Sequence, residues 1–376
     1  MARRRILVVA GEASSDSHGA GLIARLKARG EEAEFYGIGG NAMAAEGVQL
    51  IAHSDELSVV GLFEALSILP RAISLLRRIR TSIKEDPPDL FIPIDSPDFN
   101  LRLVGNAHKQ GVPVLYFVAP QVWAWRSGRV NLLKKFVAEL LVLFPFEKAW
   151  FTSRGVETTY IGHPKLDAAL SFSSSAVPAT ESHSPRILFL PGSRRGEVSR
   201  HLPILAGAVG VLKSTHPAAR FVLRMSDSLP ESFYQSLIGS ELIELSRSPM
   251  TDLCHESDLA VSVSGTASFE VALSGTPCIV VYKMNFLSWL IARQIVQIKH
   301  VSMANIAAGK VIVPELLQAD CNPMRIAAEL SNLIADDQKL ITMRQELLAL
   351  RDLFGEPGAY DRAASRVISI LNRSSC

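Results

Sequence analysis

At 376 residues, 48% of them hydrophobic and 20% charged, the chain has enough apolar material for two domains, each with its own core, and is too apolar to be disordered. Its 39 basic and 37 acidic side chains leave a formal charge of +2, so no global field selects a nucleic acid and any electrostatic partner is held locally. Cys254, Cys278, Cys321 and Cys376 lie far apart, with no Cys-x-x-Cys and no Cys/His zinc spacing, which points to reduced thiols in a cytosolic protein and to no metal centre.

Arg3-Arg4-Arg5 before Ile6–Ala10 imitates a signal peptide, but Glu12 and Asp16 follow at once, so residues 5–10 are a first buried strand. No run approaches the ~20 apolar residues of a spanning helix. Gly11-Glu12-Ala13-Ser14-Ser15-Asp16 passes the strand to a helix over 18–29. A helix start offers unpaired N–H groups and partial positive charge. The loop is either a plain turn with Ser14 or Ser15 as N-cap, or a sugar site in which the Glu12 carboxylate accepts a hydroxyl.

A strand over 34–38 ends in Gly37-Ile38-Gly39-Gly40, and a helix is expected over 61–84. That helix starts apolar, with Phe63, Leu66 and Leu69, and continues basic, with Arg71, Arg77, Arg78, Arg80 and Lys84. It is either a core helix with a solvated basic end or a face that lies on an anionic membrane. Phe286–Ile291 is a second apolar segment with the same two readings.

Leu90–Ile94 is a strand opening onto Asp95-Ser96-Pro97-Asp98-Phe99-Asn100. These are turn formers and caps, or Asp95 is a general base at the strand's carboxyl end. Residues 99–110 read as helix, and 112–118 and 140–144 as strands. Between those strands, Trp123, Trp125 and Arg126 are either core indoles with a salt-bridging arginine or a wall that meets a sugar or an anion.

Residues 171–185 are rich in serine and proline without periodicity, which marks a linker between a first domain over 1–170 and a second over 186–350. Strands follow over 187–190, 220–224, 259–263 and 278–282, with helices over 201–214 and 268–274. The tail from 323 to 373 is helical, broken at Gly355–Gly358. Its last part, 351–376, either crosses back to the first domain or pairs with a second copy of the chain as a homodimer. Continuous apolar strands joined by helices define an α/β fold class: two doubly wound Rossmann-like domains facing a cleft. In the second domain Gly192, Ser193 and Arg194 follow one strand, and Ser264, Gly265 and Thr266 follow another, with Glu270 a turn on. Both loops are surface turns and caps, or they cradle a phosphate that an arginine grips.

These motifs, with Trp-Ala-Trp-Arg at 123–126, Phe144-Pro145-Phe146-Glu147 and Gly162-His163-Pro164, together resemble the lipid-A-disaccharide synthase family, in order from residue 6 to about residue 317. Ser15 stands where the family usually has glycine, a change that a positive φ would resist. The resemblance implies an inverting, metal-free glycosyltransferase of the GT-B type without a cofactor. It would be cytoplasmic and peripheral on the inner face of a Gram-negative inner membrane. The substrates would be UDP-2,3-diacylglucosamine and 2,3-diacylglucosamine 1-phosphate, joined by a β-1,6 bond with loss of UDP. It further implies that Asp95 and Arg194 are essential and that Asn305 lies on the nucleotide side. Glu12 is the substitute base.

On this reading Gly192, Ser193, Arg194, Ser264, Gly265, Thr266, Glu270 and Asn305 hold the nucleotide-sugar. Ser14, Asp98, Asn100, Trp123, Trp125 and Arg126 form the acceptor side. Phe63, Leu66, Leu69, Arg77, Arg78 and Arg80 meet the membrane lipids. Two other classes stay open: a UDP-sugar epimerase-like enzyme on the same architecture, and a non-catalytic membrane-associated nucleotide-binding module. Hydride transfer is poorly supported, because no Gly-x-Gly-x-x-Gly follows a strand with an acidic residue at the required distance.

Overall fold

Ile6–Ala10 are buried without exception, as are all five residues of Leu90–Ile94, because each strand is covered on both faces. A computed structural model describes residues 3–57, 62–171, 184–239, 241–285, 289–290, 293–294 and 298–374; the side chains at 62–68, 168, 171 and 374 are outside it. The expected linker therefore lies largely outside the described residues, as do the side chains of Phe63 and Leu66 and much of 286–291. The chain divides into two compact units, Met1–Pro164 with Glu356–Cys376, and Lys165–Gly355.

The first unit runs β1 (Arg4–Ala10), α1 (Ala13–Ala28), β2 (Ala33–Gly39), α2 (Asn41–Ala45), β3 (Gln49–His53) and α3 (Leu62–Glu85). It continues through β4 (Leu90–Ile94), α4 (Pro97–Asn100), α5 (Val104–Lys109), β5 (Leu115–Phe117), α6 (Val130–Phe136), β6 (Glu139–Val142), α7 (Pro145–Thr152) and β7 (Thr158–Tyr160). Its seven strands are parallel in the order β3-β2-β1-β4-β5-β6-β7. Strand order reverses between β1 and β4, and ligands of such sheets bind where it does.

Two expectations change in detail. The helix expected over 99–110 is two, α4 and α5, because bonding tightens to i→i+3 at Arg102 and Leu103. The strand expected over 112–118 is only Leu115–Phe117: Pro113 has no N–H to donate, and Val118 turns to φ 60°.

The second unit contains most of α8 (Pro164–Ser171), then β8 (Arg186–Leu190), α9 (Arg195–Thr215), β9 (Arg220–Arg224), α10 (Glu231–Ile238) and β10 (Ile243–Ser246). It goes on with α11 (Met250–His255), β11 (Leu259–Val263), α12 (Thr266–Ser274), β12 (Cys278–Tyr282) and β13 (Glu315–Leu317). Its sheet is parallel in the order β10-β9-β8-β11-β12-β13, so the reversal falls between β8 and β11. Helices Pro323–Ile334 and Asp337–Phe354 complete the unit.

The last helix, Ala359–Ser374, belongs to the first unit and packs on α1. The Tyr360 ring lies where a side chain at Gly21 would stand, 2.5 Å away, and its hydroxyl is 3.2 Å from His18 Nδ1. Arg366 donates twice, at 2.7 and 2.9 Å, to the buried Glu139 carboxylate of β6. Among the described residues no helix is long and apolar enough to cross a membrane.

Candidate active site

In the first unit the site residues gather at the ends of β1 and β4. Glu12 is the N-cap residue of α1, in extended conformation and without a side-chain cap bond. Gly11 allows β1 to pass under the β4 loop, since a Cβ there would stand 2.7 Å from Ser96 Oγ. Asp95 and Ser96 both have φ 45°, a region that costs non-glycine residues on the order of 1 kcal/mol or more each. The surroundings hold that turn in place. Tyr116 Oη donates to the Asp95 carbonyl at 2.6 Å, and Asn100 Nδ2 donates to it at 2.8 Å and to Ile94 O at 3.1 Å. Burial, reinforced by the Asp95 charge, holds the Tyr116 phenol well above its ordinary pKa, so it remains a neutral donor.

Asn100 is thus fully buried and ties the strand ends together, while Ser14 is exposed on the first turn of α1. Asp16 caps α2, accepting from the Gly40, Ala42 and Met43 amides at 2.6, 2.9 and 3.1 Å. Ser15 lies inside α1 without a positive φ, so the replaced glycine costs no backbone strain; its buried hydroxyl lacks a partner instead.

The tryptophan loop separates its two indoles. Trp123 is buried, donates from Nε1 to Glu147 Oε1 at 2.9 Å and packs edge-on against Phe146. Trp125 is half-buried and carries the guanidiniums of Arg126 and Arg129 at 4.6 and 5.8 Å from its ring centre. Both arginines bond Asp98 Oδ1, Arg126 at 3.0 Å.

Glu147 appears in the sequence only within the Phe144–Glu147 motif and without a role, although Pro145 at the first position of α7 with Glu147 two residues on is a capping signal. Its Oε2 accepts from the Phe144 amide at 3.1 Å. Burial pushes its pKa up to about 7, and the Asp95 charge adds to the rise.

The second unit presents a different chemistry at its reversal point. Gly192 has φ 106°, and its lack of a Cβ lets the Glu197 side chain fold back onto the loop. Glu197 Oε2 accepts from the Ser193 and Arg194 amides at 3.2 and 3.4 Å. Those donors are therefore taken, and Arg194 is itself an exposed residue. Gly265, the N-cap of α12, has φ 149°, with no described atom within 4 Å of where a Cβ would stand. The first turn of α12, from Thr266 onward, is a helix start whose partial positive charge favours an anion.

Glu270, one turn further, forms an ion pair with Lys165 at 2.9 Å. Asn305 is fully buried: it accepts from the Ile312 and Val313 amides at 2.7 and 3.0 Å and donates to Glu315 Oε1 at 2.8 Å. Glu315 accepts from the Val301 amide at 2.9 Å, and Ser264 Oγ donates to the Val301 carbonyl at 2.9 Å. Asn305 thereby reaches the Ser264 loop through Glu315. Buried His201 stays neutral because burial lowers its pKa; it accepts from the Lys283 amide at 3.0 Å and sits 2.8 Å from Glu197 O.

Of the expected membrane residues, Leu69 is 49% exposed and Arg77 is exposed; nearby Ile73, at 39%, and Arg71 are exposed too. Arg78 donates to Ile51 O at 2.8 Å and Arg80 to Arg102 O at 3.1 Å. Among the described residues no group of three or more His, Cys, Asp and Glu could hold a metal ion.

Two doubly wound parallel sheets, each with polar loops at its point of reversal, define the GT-B class of glycosyltransferases and nucleotide-sugar epimerases. Solved structures show the same fold. The UDP-GlcNAc 2-epimerase of Neisseria meningitidis, bound to UDP-GlcNAc, matches with a TM-score of 0.66 at 14% identity, over 97% of this chain and 100% of that one. The calicheamicin glycosyltransferase matches with a TM-score of 0.61 at 16% identity, over 100% of both chains. Sequence narrows the class. The profile of the lipid-A-disaccharide synthetases matches residues 6–364, and the lipid-A-disaccharide synthase of Syntrophus aciditrophicus (strain SB) is 39% identical over 383 residues, 100% of each chain. The chain belongs to the lipid-A-disaccharide synthase family and is a glycosyltransferase of lipid A biosynthesis. The epimerase and non-catalytic readings are not favoured.

Proposed function

We propose that the chain transfers the sugar of UDP-2,3-diacylglucosamine to the 6-hydroxyl of 2,3-diacylglucosamine 1-phosphate, with inversion, giving a β-1,6 disaccharide 1-phosphate and UDP. The observation that carries this reading is the unequal chemistry of the two reversal points. Carboxylates stand at the first, Glu12 after β1 and Asp95 after β4; an arginine and the start of helix α12 stand at the second.

In this mechanism Asp95 accepts the proton of the acceptor hydroxyl as its oxygen attacks the donor's anomeric carbon. Glu12 orients the same sugar. The bond to UDP breaks from the opposite face. Arg194 and the α12 amides compensate the charge that develops on the diphosphate, a task that requires no cation in principle. Glu270, oriented by Lys165, accepts the ribose hydroxyls, and Asn305 acts indirectly by fixing the Ser264 loop. The acyl chains of both substrates give the exposed Leu69 and Ile73 of α3 a purpose: that part of the helix rests on the inner face of the inner membrane.

Asp95→Asn is the decisive test. Sugar transfer in detergent micelles with chelator should fall by at least a thousandfold, while UDP binding, followed by calorimetry, should stay within about twofold. Full transfer by that variant removes Asp95 from the mechanism, and activity only with added divalent ion removes the metal-free step.

A further inference from the structure

The Arg126–Arg129 pair has no part in the chemistry above, yet its geometry is built. Arg126 takes φ 55° and ψ 45° as the N-cap of the 3-10 turn Ser127–Arg129. The Arg129 amide donates to the Arg126 carbonyl at 3.0 Å, which closes the turn, and both guanidiniums reach Asp98. Trp125 is the floor on which both guanidiniums lie, and two residues earlier in the same loop Trp123 is buried and bonded to Glu147. Both cations meet one oxygen of one carboxylate, Asp98 Oδ1. Two positive charges against one negative leave an excess of one, carried on planar forks that match a phosphate's oxygens. Asp98 itself sits at the start of α4, directly after the Asp95–Ser96 turn.

We infer that Arg126 and Arg129 form the subsite for a phosphate monoester on the acceptor, with Asp98 holding the two forks together until the substrate arrives. The inference rests on the proposed transfer to a sugar 1-phosphate and adds the residues that read that phosphate. A phosphate at this subsite engages two guanidiniums on an aromatic floor, beside the carboxylate that accepts the hydroxyl proton. It therefore selects phosphorylated over unphosphorylated acceptors and sets which hydroxyl reaches Asp95.

The test compares Arg126→Met, Arg129→Met and Arg126→Lys with the wild type, using the 1-phosphate acceptor and its dephosphorylated counterpart in neutral detergent micelles. Each methionine variant should raise KM for the phosphorylated acceptor roughly tenfold to a hundredfold, with KM for the UDP-sugar unchanged. The loss should be confined to the phosphorylated acceptor, and Arg126→Lys should recover part of it. Binding of the two acceptors, read from tryptophan fluorescence without donor, gives a second measure that needs no turnover. Should the wild type fail to make disaccharide yet still prefer the phosphorylated ligand, the subsite stands and the proposed reaction falls. Equal losses on both acceptors, or a rise in donor KM, overturn the subsite. So does loss of binding to anionic vesicles with unchanged acceptor kinetics, which would assign the pair to lipid headgroups.

Discussion

At the scale of residues, the turn after β4 concentrates strain at Asp95, the proposed general base. Of the five non-glycine residues with positive φ among those described, Asp95, Ser96, Val118 and Arg126 lie in the loops after β4 and β5. Such conformations persist only where buried contacts over-determine them, and here Tyr116 and Asn100 do so through the Asp95 carbonyl. The sequence marks Asp95 by its place at a strand end; it does not reveal that Asn100 and Asn305 spend their amides on backbone, since an asparagine's neighbours are set by the fold. Nor does it separate Trp123 from Trp125, one sunk under the loop and one half out of it.

Glu147 carries a prediction at this scale. Its carboxyl titrates near pH 7 in the fold against an ordinary 4.5, so the folded protein binds the proton more tightly than the unfolded chain. Stability from this group is complete below about pH 4.5 and is lost as pH rises towards 7, by roughly 3 kcal/mol. Denaturation at pH 5 and pH 8 should therefore show a smaller difference for Glu147→Gln than for the wild type. An identical pH dependence in the two proteins would refute a raised carboxyl.

At the scale of elements, legibility follows position in the sheet. The inner strands β1, β2, β4, β5 and β6 of the first unit, and β8, β9, β11 and β12 of the second, are readable from the sequence as apolar runs. The four that are not, β3, β7, β10 and β13, are the four sheet edges. Gln49–His53, Thr158–Tyr160, Ile243–Ser246 and Glu315–Leu317 are short and carry polar residues, because an edge is buried less and pairs on one side only.

Helix α3 divides by face and by length. Leu75, Leu76, Ile79 and Ile83 enter the core, whereas Leu69 and Ile73 stay exposed nearer the start. If that start rests on lipid, Leu69→Glu with Ile73→Glu should lower binding to anionic vesicles about tenfold or more, measured by flotation, while the fold is retained. Unchanged flotation would move the contact to another segment.

At the scale of the whole molecule, the C-terminal helix is part of the first unit's fold. Its Arg366 neutralises Glu139, which is only 3% exposed, and its Arg362 donates to the Ile161 carbonyl at 2.7 Å. Arg366→Met should leave a buried carboxylate without its cation and destabilise the first unit by roughly 2–3 kcal/mol. Hydrogen exchange in the full chain should then quicken in β6, β7 and α1 and stay constant in β8, β11 and α12. Uniform exchange across both units would show that the helix does not stabilise the first unit selectively.

The local signals in the sequence determined the two parallel α/β units, their inner strands and the strand-end loops that carry Asp95, Arg194 and Gly265, because apolar runs and helix starts are short-range features of the chain. Only the tertiary structure decided where the last helix packs, which indole is sunk, that Arg129 joins Arg126 on Asp98, and that Asn305 serves Glu315. Those choices depend on residues many positions apart coming together, and burial and charge pairing over such separations arise only once the backbone has closed on itself.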